Sequence, residues 1–81
     1  MKYNYLAMIK LIILNLKEKI FEGEVSSLTL PGEQGELTVL TDHVPIVTAI
    51  KSGTIRADQK YFESKGGGIF EFNQNAATIL L

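Results

Sequence analysis

The chain has 81 residues, the size of one small domain with a modest core, because roughly 60% of the unfolded surface can be buried at this length. It contains no cysteine, so neither a disulfide nor a thiolate metal site can stabilise it. Eight basic residues against nine acidic residues give a net charge of −1, and the basic residues are scattered along the sequence. Nucleic-acid grooves and anionic-membrane patches need clustered basic residues, so neither is expected.

The N-terminal residues combine Lys2 with an apolar run, as a secretory signal peptide does. Lys10 interrupts the run and no small-residue cleavage site follows, so a signal peptide is disfavoured. We expect residues 1–9 to form a partly disordered lead-in and residues 10–81 to form the folded domain. No apolar segment approaches the ~18 residues of a membrane-spanning helix.

Short segments rich in β-branched and aromatic residues recur along the chain, separated by glycine, proline, asparagine, aspartate or charged residues. None shows a sustained helical period, and each is short enough for a strand. The pattern predicts an all-β fold, a flattened β-sandwich or barrel of about nine to ten short strands. The predicted strands are Leu11–Leu16, Ile20–Val25, Leu28–Leu30, Leu37–Leu40, Ile46–Ile50, Thr54–Ala57, Lys60–Ser64, Ile69–Phe72 and Ala76–Leu81.

Two bends are specified more closely than the rest. Val25 lies an odd number of positions from Leu28 and Leu30, so side-chain alternation slips between them. A bulge or a sheet-changing bend at Ser26-Ser27 would turn all three side chains inward. Pro31-Gly32 has proline and glycine in the order that the two central positions of a type II turn favour.

The triplet Gly66-Gly67-Gly68 permits a sharp reversal close to other backbone, and the pattern predicts a hairpin connection there. A phosphate-binding loop is disfavoured, since no Gly-Lys-Ser/Thr motif follows and no helix begins after the triplet.

The residues that could support catalysis are few. His43 is the only histidine, and no motif connects it with the serines at positions 26, 27, 52 and 64. The carboxylate pairs Glu22/Glu24 and Glu33/Glu36 are typical of a solvated surface on strands and at a turn. We therefore expect no catalytic residues, no metal site and no cofactor.

The stretch FEGEVSSLTLPGEQGELTVLTDHVPIVTAIKSGTIR, residues 21–56, carries turn and strand residues in a recognisable order. It resembles the N-terminal domain of the epsilon subunit of F-type ATP synthase, whose pattern includes F-x-G-x-V, P-G-x-x-G-E-L, H-x-P-[IL]-[VL]-T-x-[IL] and K-x-G-x-[IL]-R. The later segments Gly67–Phe72 and Ala77–Leu80 match the end of the same pattern. The resemblance covers nearly everything from Leu11 onward.

The resemblance implies a non-catalytic rotor subunit that links the gamma subunit of the central stalk to the c-subunit ring and couples proton flow to ATP synthesis. It implies contact with the ring through Gly32, Glu33 and Gln34, and contact with gamma through His43, Pro45, Ile46, Val47 and Thr48. The expected location is the cytoplasmic face of the bacterial inner membrane or the equivalent organelle face, with membrane contact only through the complex. An exposed apolar surface is expected for docking.

The sequence departs from the family pattern in two places. The family usually has Pro-Gly where this sequence has Thr41-Asp42. It also commonly continues into an inhibitory two-helix domain, whereas this sequence ends at Leu81, so the resemblance implies coupling without that inhibition. The alternative from another class is a free-standing β-sandwich that binds a small ligand or carbohydrate. It would need an exposed aromatic platform, yet Phe62, Phe70 and Phe72 are predicted in the core, which leaves the tyrosines.

Overall fold

The computed structural model describes residues 8–81, and these residues form nine strands and no helix. No helix in this range is therefore long and apolar enough to cross a membrane. The strands are β1 (Ile9–Leu14), β2 (Lys19–Val25), β3 (Ser27–Gly32), β4 (Gly35–Leu40), β5 (Ile46–Ile50), β6 (Thr54–Ala57), β7 (Lys60–Glu63), β8 (Gly68–Asn73) and β9 (Ala76–Leu80). The all-β prediction is confirmed.

The strands form one continuous, strongly curled sheet with the order β2-β1-β9-β8-β5-β3-β6-β7, and β4 pairs with β3. Pairing is antiparallel except between β1 and β9, which run parallel from Lys10↔Ala76 to Leu14↔Leu80. Because β5 meets β3 only at Gly32↔Ile50, the sheet folds at this point. Its two halves, β2-β1-β9-β8-β5 and β4-β3-β6-β7, enclose the core as the layers of a sandwich do.

Alternating side chains from both halves build the core. Phe70 and Phe72 on β8 are its largest fully buried side chains, as their alternation predicts. Phe62 is partly buried, and its ring lies 5.3 Å from that of Phe21. The remaining buried apolar residues are Ile9, Leu11, Ile13, Val25, Leu28, Leu30, Val39, Ile50, Ile55, Ala57, Ala77 and Ile79.

The chain changes between the halves of the sheet at Ser26, between β2 and β3. Val25, Leu28 and Leu30 all point into the core, so the bend predicted from their spacing is confirmed. Asp58, in the β6–β7 turn, fixes the bend. Its carboxylate accepts hydrogen bonds from the N–H groups of Ser26 and Ser27 and from the Ser26 hydroxyl, at 2.8 to 3.1 Å.

The reversal predicted at Pro31-Gly32 lies two residues later in the structure. Pro31 pairs with Glu36 and Gly32 with Gly35, so β3 continues through both, and the turn is Glu33-Gln34. Proline is tolerated because β3 pairs with β6 only at Leu28 and Thr29 and with β5 only at Gly32, so no partner strand needs an N–H at Pro31.

The first strand begins at Ile9 and ends at Leu14, two residues earlier at each end than predicted. Ile9 is fully buried, whereas Leu16 is 96% exposed in the β1–β2 turn. The side chain of Asn15 causes this early end, because it accepts hydrogen bonds from the N–H groups of Lys17 and Glu18 and so forms the turn. Except for Met8 and Ile9, the predicted lead-in over residues 1–9 lies outside the described residues.

The prediction of a hairpin at the glycine triplet is wrong. β7 pairs with β6, whereas β8 pairs with β5 and β9, so Gly66 and Gly67 cross from one half of the sheet to the other. The buried Ser64 anchors this link, since its hydroxyl donates to the carbonyls of Lys51 and Gly53. Both glycines have φ of 80°, and a Cβ on Gly67 would lie 2.5 Å from the Ile50 carbonyl oxygen.

Candidate interaction surface

The hairpin tip, Glu33-Gln34, projects from the end of β3 and β4 with both side chains exposed. Gly32, the third residue predicted to contact the ring, is buried at the base of the tip. A Cβ on Gly32 would lie 2.7 Å from the Gly35 carbonyl oxygen, so Gly32 allows the two strands to approach closely. The tip thus presents one carboxylate and one amide to a partner.

The β4–β5 loop carries the first residues predicted to contact gamma. Asp42 has φ of 68°, a left-handed conformation that glycine adopts readily and aspartate tolerates. Aspartate can therefore occupy position 42, where the family usually has glycine. Its N–H donates to Asn75 Oδ1 at 2.7 Å, and Asn75 Nδ2 donates to Asp42 Oδ1 at 3.0 Å. Asn75 itself lies in the β8–β9 turn, which therefore holds the loop in place.

His43 is a half-buried packing residue of this loop. Its ring meets that of Phe72 edge to face at 6.0 Å, and Nδ1 lies 2.7 Å from the Val44 carbonyl oxygen. With Nδ1–H donating to this carbonyl, the ring orientation is fixed by the loop itself. The geometry gives His43 a structural role and does not direct it at any serine.

The β5 residues predicted to contact gamma alternate between the two faces of the sheet. Ile46 and Thr48 are partly buried, and Ile46 packs against the core. Val47 points outward and is 70% exposed. Val44, in the loop before β5, is an apolar side chain that is 67% exposed. It was not predicted as a contact residue, because it occupies the unspecified position of the H-x-P motif.

A groove of about 280 Å³ joins the two predicted contact regions. One wall is the β3–β4 hairpin from Gly32 to Leu37, and the other is formed by Ile46 and Thr48 on β5. The sequence placed these residues in separate motifs, and the fold brings them together. Among residues 8–81, those lining the groove include two carboxylates, Glu33 and Glu36, and no cation.

An apolar row also crosses the outer face of the sheet. The pairing register aligns Ala49 with Ile69, Ile69 with Leu80 and Leu80 with Leu14 across four strands. Ile69 and Leu80 are exposed, and Val47 lies two residues from Ala49 on the same face. The exposed apolar surface expected for docking is therefore present, and it is continuous with β5.

Several polar side chains of the described residues hold the fold together. Ser26 bonds Asp58, and Ser64 bonds two carbonyls. Burial alone would raise the pKa of Asp58, but the hydrogen bonds from Ser26 and Ser27 outweigh it and hold the pKa below its usual value. On β2, the hydrogen bond and charge of Lys19 lower the pKa of the exposed Glu22 carboxyl. Residues 8–81 contain no cluster of histidine or carboxylate ligands suited to a metal.

Residues 8–81 thus form a curled β-sandwich with a polar hairpin tip and exposed apolar side chains on and beside β5. Residues 8–81 match the beta-sandwich domain of the delta/epsilon chain of ATP synthase, and the chain belongs to this family. The family resemblance inferred from residues 21–56 is therefore confirmed. The prediction of a non-catalytic subunit is also confirmed, because the matched family is the delta/epsilon chain of ATP synthase.

Two solved structures have the same fold. A chain in the cryo-EM structure of the Euglena gracilis mitochondrial ATP synthase (OSCP/F1/c-ring) superposes with a TM-score of 0.80 at 24% identity, covering 91% of this chain and 50% of that one. A chain of the Tetrahymena thermophila mitochondrial ATP synthase central stalk and c-ring gives 0.73 at 13% identity, covering 89% and 61%. The chain thus spans half to about three fifths of the length of these proteins.

Proposed function

We propose that this domain is a non-catalytic rotor element of a proton-translocating F-type ATP synthase. It joins the gamma subunit of the central stalk to the c-subunit ring, so that rotation of the ring is coupled to ATP synthesis. The observation that carries the proposal is the family match over residues 8–81. The proposed location is the face of the membrane that bears the catalytic head, which is the cytoplasmic face in bacteria.

The surface chemistry supports a different partner for each of the two contact regions. The hairpin tip is exposed and polar, which suits the polar loops of a membrane-embedded ring. The apolar surface around β5 exposes Val44 in the preceding loop, Val47 on β5 and Ile69 on β8. These side chains suit a larger and drier contact with the stalk. We assign Glu33 and Gln34 to the ring, with Gly32 shaping the tip, and the segment from His43 to Thr48 to gamma.

The ligand-binding alternative has less support. Tyr61, on β7, is the only exposed aromatic residue within the described part of the chain, so no second exposed ring lies beside it. A recess of about 600 Å³ is an open depression beside Ser26 and Asp58, whose polar groups are already hydrogen-bonded. Neither feature forms an aromatic platform or an enclosed apolar pocket.

Reconstitution with a gamma-type stalk subunit tests the proposal. We expect the mixture to elute in size-exclusion chromatography as one defined complex. Val47→Asp should weaken it at least about tenfold, because a charge would be placed in an apolar contact. Tyr61→Asp, at a similarly exposed site on β7, is the matched control and should bind normally. Separate elution of the two folded wild-type subunits would contradict the proposal.

A further inference from the structure

One edge of β5 has almost no partner. On its other edge β5 pairs with β8 along its whole length, from Ile46↔Phe72 to Ile50↔Gly68. Towards β3 it forms a single pair, Gly32↔Ile50. Within residues 8–81 no strand lies against this edge from Ile46 to Ala49. The groove described above runs along it.

Strand geometry shows which backbone groups face the open edge. The Lys51 N–H donates to the Pro31 carbonyl at 2.7 Å, so the backbone of Lys51 points towards β3. Successive residues of a strand direct their N–H and C=O groups to opposite edges. Ala49 and Val47 therefore point to the same edge as Lys51. Ala49 C=O accepts a hydrogen bond from the Thr48 hydroxyl. Val47 N–H and C=O point to the open edge, between Ile46 and Thr48, the two β5 residues that line the groove.

The composition of β5 distinguishes it from the other strands with an unpaired edge. β2, β4 and β7 carry charged side chains, which discourage pairing with another chain: Lys19, Glu22, Glu24, Glu36, Lys60 and Glu63. β5 reads Ile-Val-Thr-Ala-Ile, with three β-branched residues before Ala49 and no charge. Its open edge is therefore well suited to accept a further strand.

The groove indicates what kind of strand would fit. Side chains of an added strand would alternate into the groove and out of it. Inside, they would meet the apolar side chains of Leu37 and Ile46, one on each wall, and Glu33 and Glu36 on the hairpin wall. This surface favours an extended segment whose groove-facing side chains, at every second position, include both apolar and basic residues.

We propose that β5 binds its partner by strand addition: an extended segment of the stalk subunit, with apolar and basic residues on its groove-facing side, pairs with the open edge at Val47. The inference rests on the proposed function and gives the contact a defined form. Main-chain hydrogen bonds supply the affinity, and the groove selects the side chains. The sheet of this domain would then continue into the stalk subunit.

Amide hydrogen exchange on the 81-residue chain, alone and with the stalk subunit, tests the inference. In the chain alone, the Val47 N–H should exchange much faster than the Thr48 N–H, which faces β8. Complex formation should slow exchange at Val47 by at least about tenfold. A complex in which Val47 exchanges as fast as in the chain alone would overturn strand addition and leave the proposed function standing. Failure to form any complex would overturn both.

A backbone variant gives a second test. Val47→Pro removes the N–H that points to the open edge without removing a bond to β8, and proline is compatible with a strand edge. We expect it to weaken stalk binding at least about tenfold. The control is Val47→Thr, which keeps the N–H and the β-branch and should bind within about threefold of wild type. Equal binding by both variants would overturn the inference; if Val47→Pro does not fold, the exchange measurement decides.

Discussion

Asp42 and Asn75 hold each other through a reciprocal pair of hydrogen bonds, although they lie in different connections of the sheet. Both have positive φ, 68° and 61°, which aspartate and asparagine tolerate better than most residues. The pair ties the β4–β5 loop to the β8–β9 turn. It therefore positions His43 and Val44 just before the start of β5, where we place the contact with the stalk.

Asn75→Gly should loosen this loop. Glycine keeps the left-handed backbone but removes both hydrogen bonds, so we expect a loss of about 1 kcal/mol in the free energy of unfolding. Amide exchange at Asp42 should accelerate. In the control, Asp42→Gly, the N–H can still donate to Asn75, so exchange at this position should stay slow. Equal exchange in the two variants would show that Asn75 does not hold the loop.

Asp58 should be the most important polar residue for stability. Its carboxylate satisfies two N–H groups and one hydroxyl at the crossover between the halves of the sheet. Asp58→Ala should cost about 1–3 kcal/mol, because these donors lose a charged acceptor and alanine disfavours the φ of 55°. Asp58→Asn retains one acceptor oxygen and should cost less. Urea unfolding monitored by circular dichroism measures both; equal stability of all three proteins would contradict the role.

The pH dependence of stability follows from the same carboxylate. The pKa of Asp58 is lowered in the folded chain, so its contribution is fully present above the unfolded value of about 3.9. It is lost as pH falls from there through the folded pKa, because the protonated group is a weaker acceptor. The stability difference between wild type and Asp58→Asn should therefore shrink below about pH 4. A difference that stays constant down to pH 2 would contradict this assignment.

Local alternation allowed much of the fold to be predicted, including the inward turn of Val25, Leu28 and Leu30 and the full extent of β5 and β6. The errors arose where a longer-range contact decides the conformation. Pro31 stays in a strand because its edge has little pairing to satisfy, a property of β3, β5 and β6 together. Alternation likewise carries no information about which strands pair, so the crossover after Ser64 was missed.

The candidate site was predictable only in part. Motif order placed Glu33 at a tip and Val47 on a strand, and both are exposed. That the hairpin and β5 share one groove depends on the fold of the sheet at Gly32↔Ile50, to which no sequence pattern refers. The burial of Gly32 depends on the same geometry, since β3 and β4 close tightly beneath the tip.

The glycine triplet offers a matched pair of substitutions. Gly66 and Gly67 share φ of 80°, but a Cβ on Gly66 meets nothing within 4 Å, whereas one on Gly67 would lie 2.5 Å from Ile50 O. Gly66→Ala should cost about 1–2 kcal/mol for the left-handed backbone alone. Gly67→Ala should cost about 1–3 kcal/mol more, because the backbone of β5 must shift. Equal urea midpoints for the two variants would show that a Cβ on Gly67 does not displace the backbone of β5.

Charge reversal at the hairpin tip tests the assignment of Glu33 to the ring. Glu33 is exposed, so Glu33→Lys should fold normally, but a reversed charge at an interface discriminates strongly between partners. In the assembled enzyme we expect ATP-driven proton pumping to fall severalfold, while ATP hydrolysis by the detached catalytic head is unchanged. Glu24→Lys, which reverses an exposed carboxylate on β2, is the control and should pump normally. Full pumping by Glu33→Lys would remove the tip from the ring contact, and the exchange measurement at Val47 would still test the β5 contact separately.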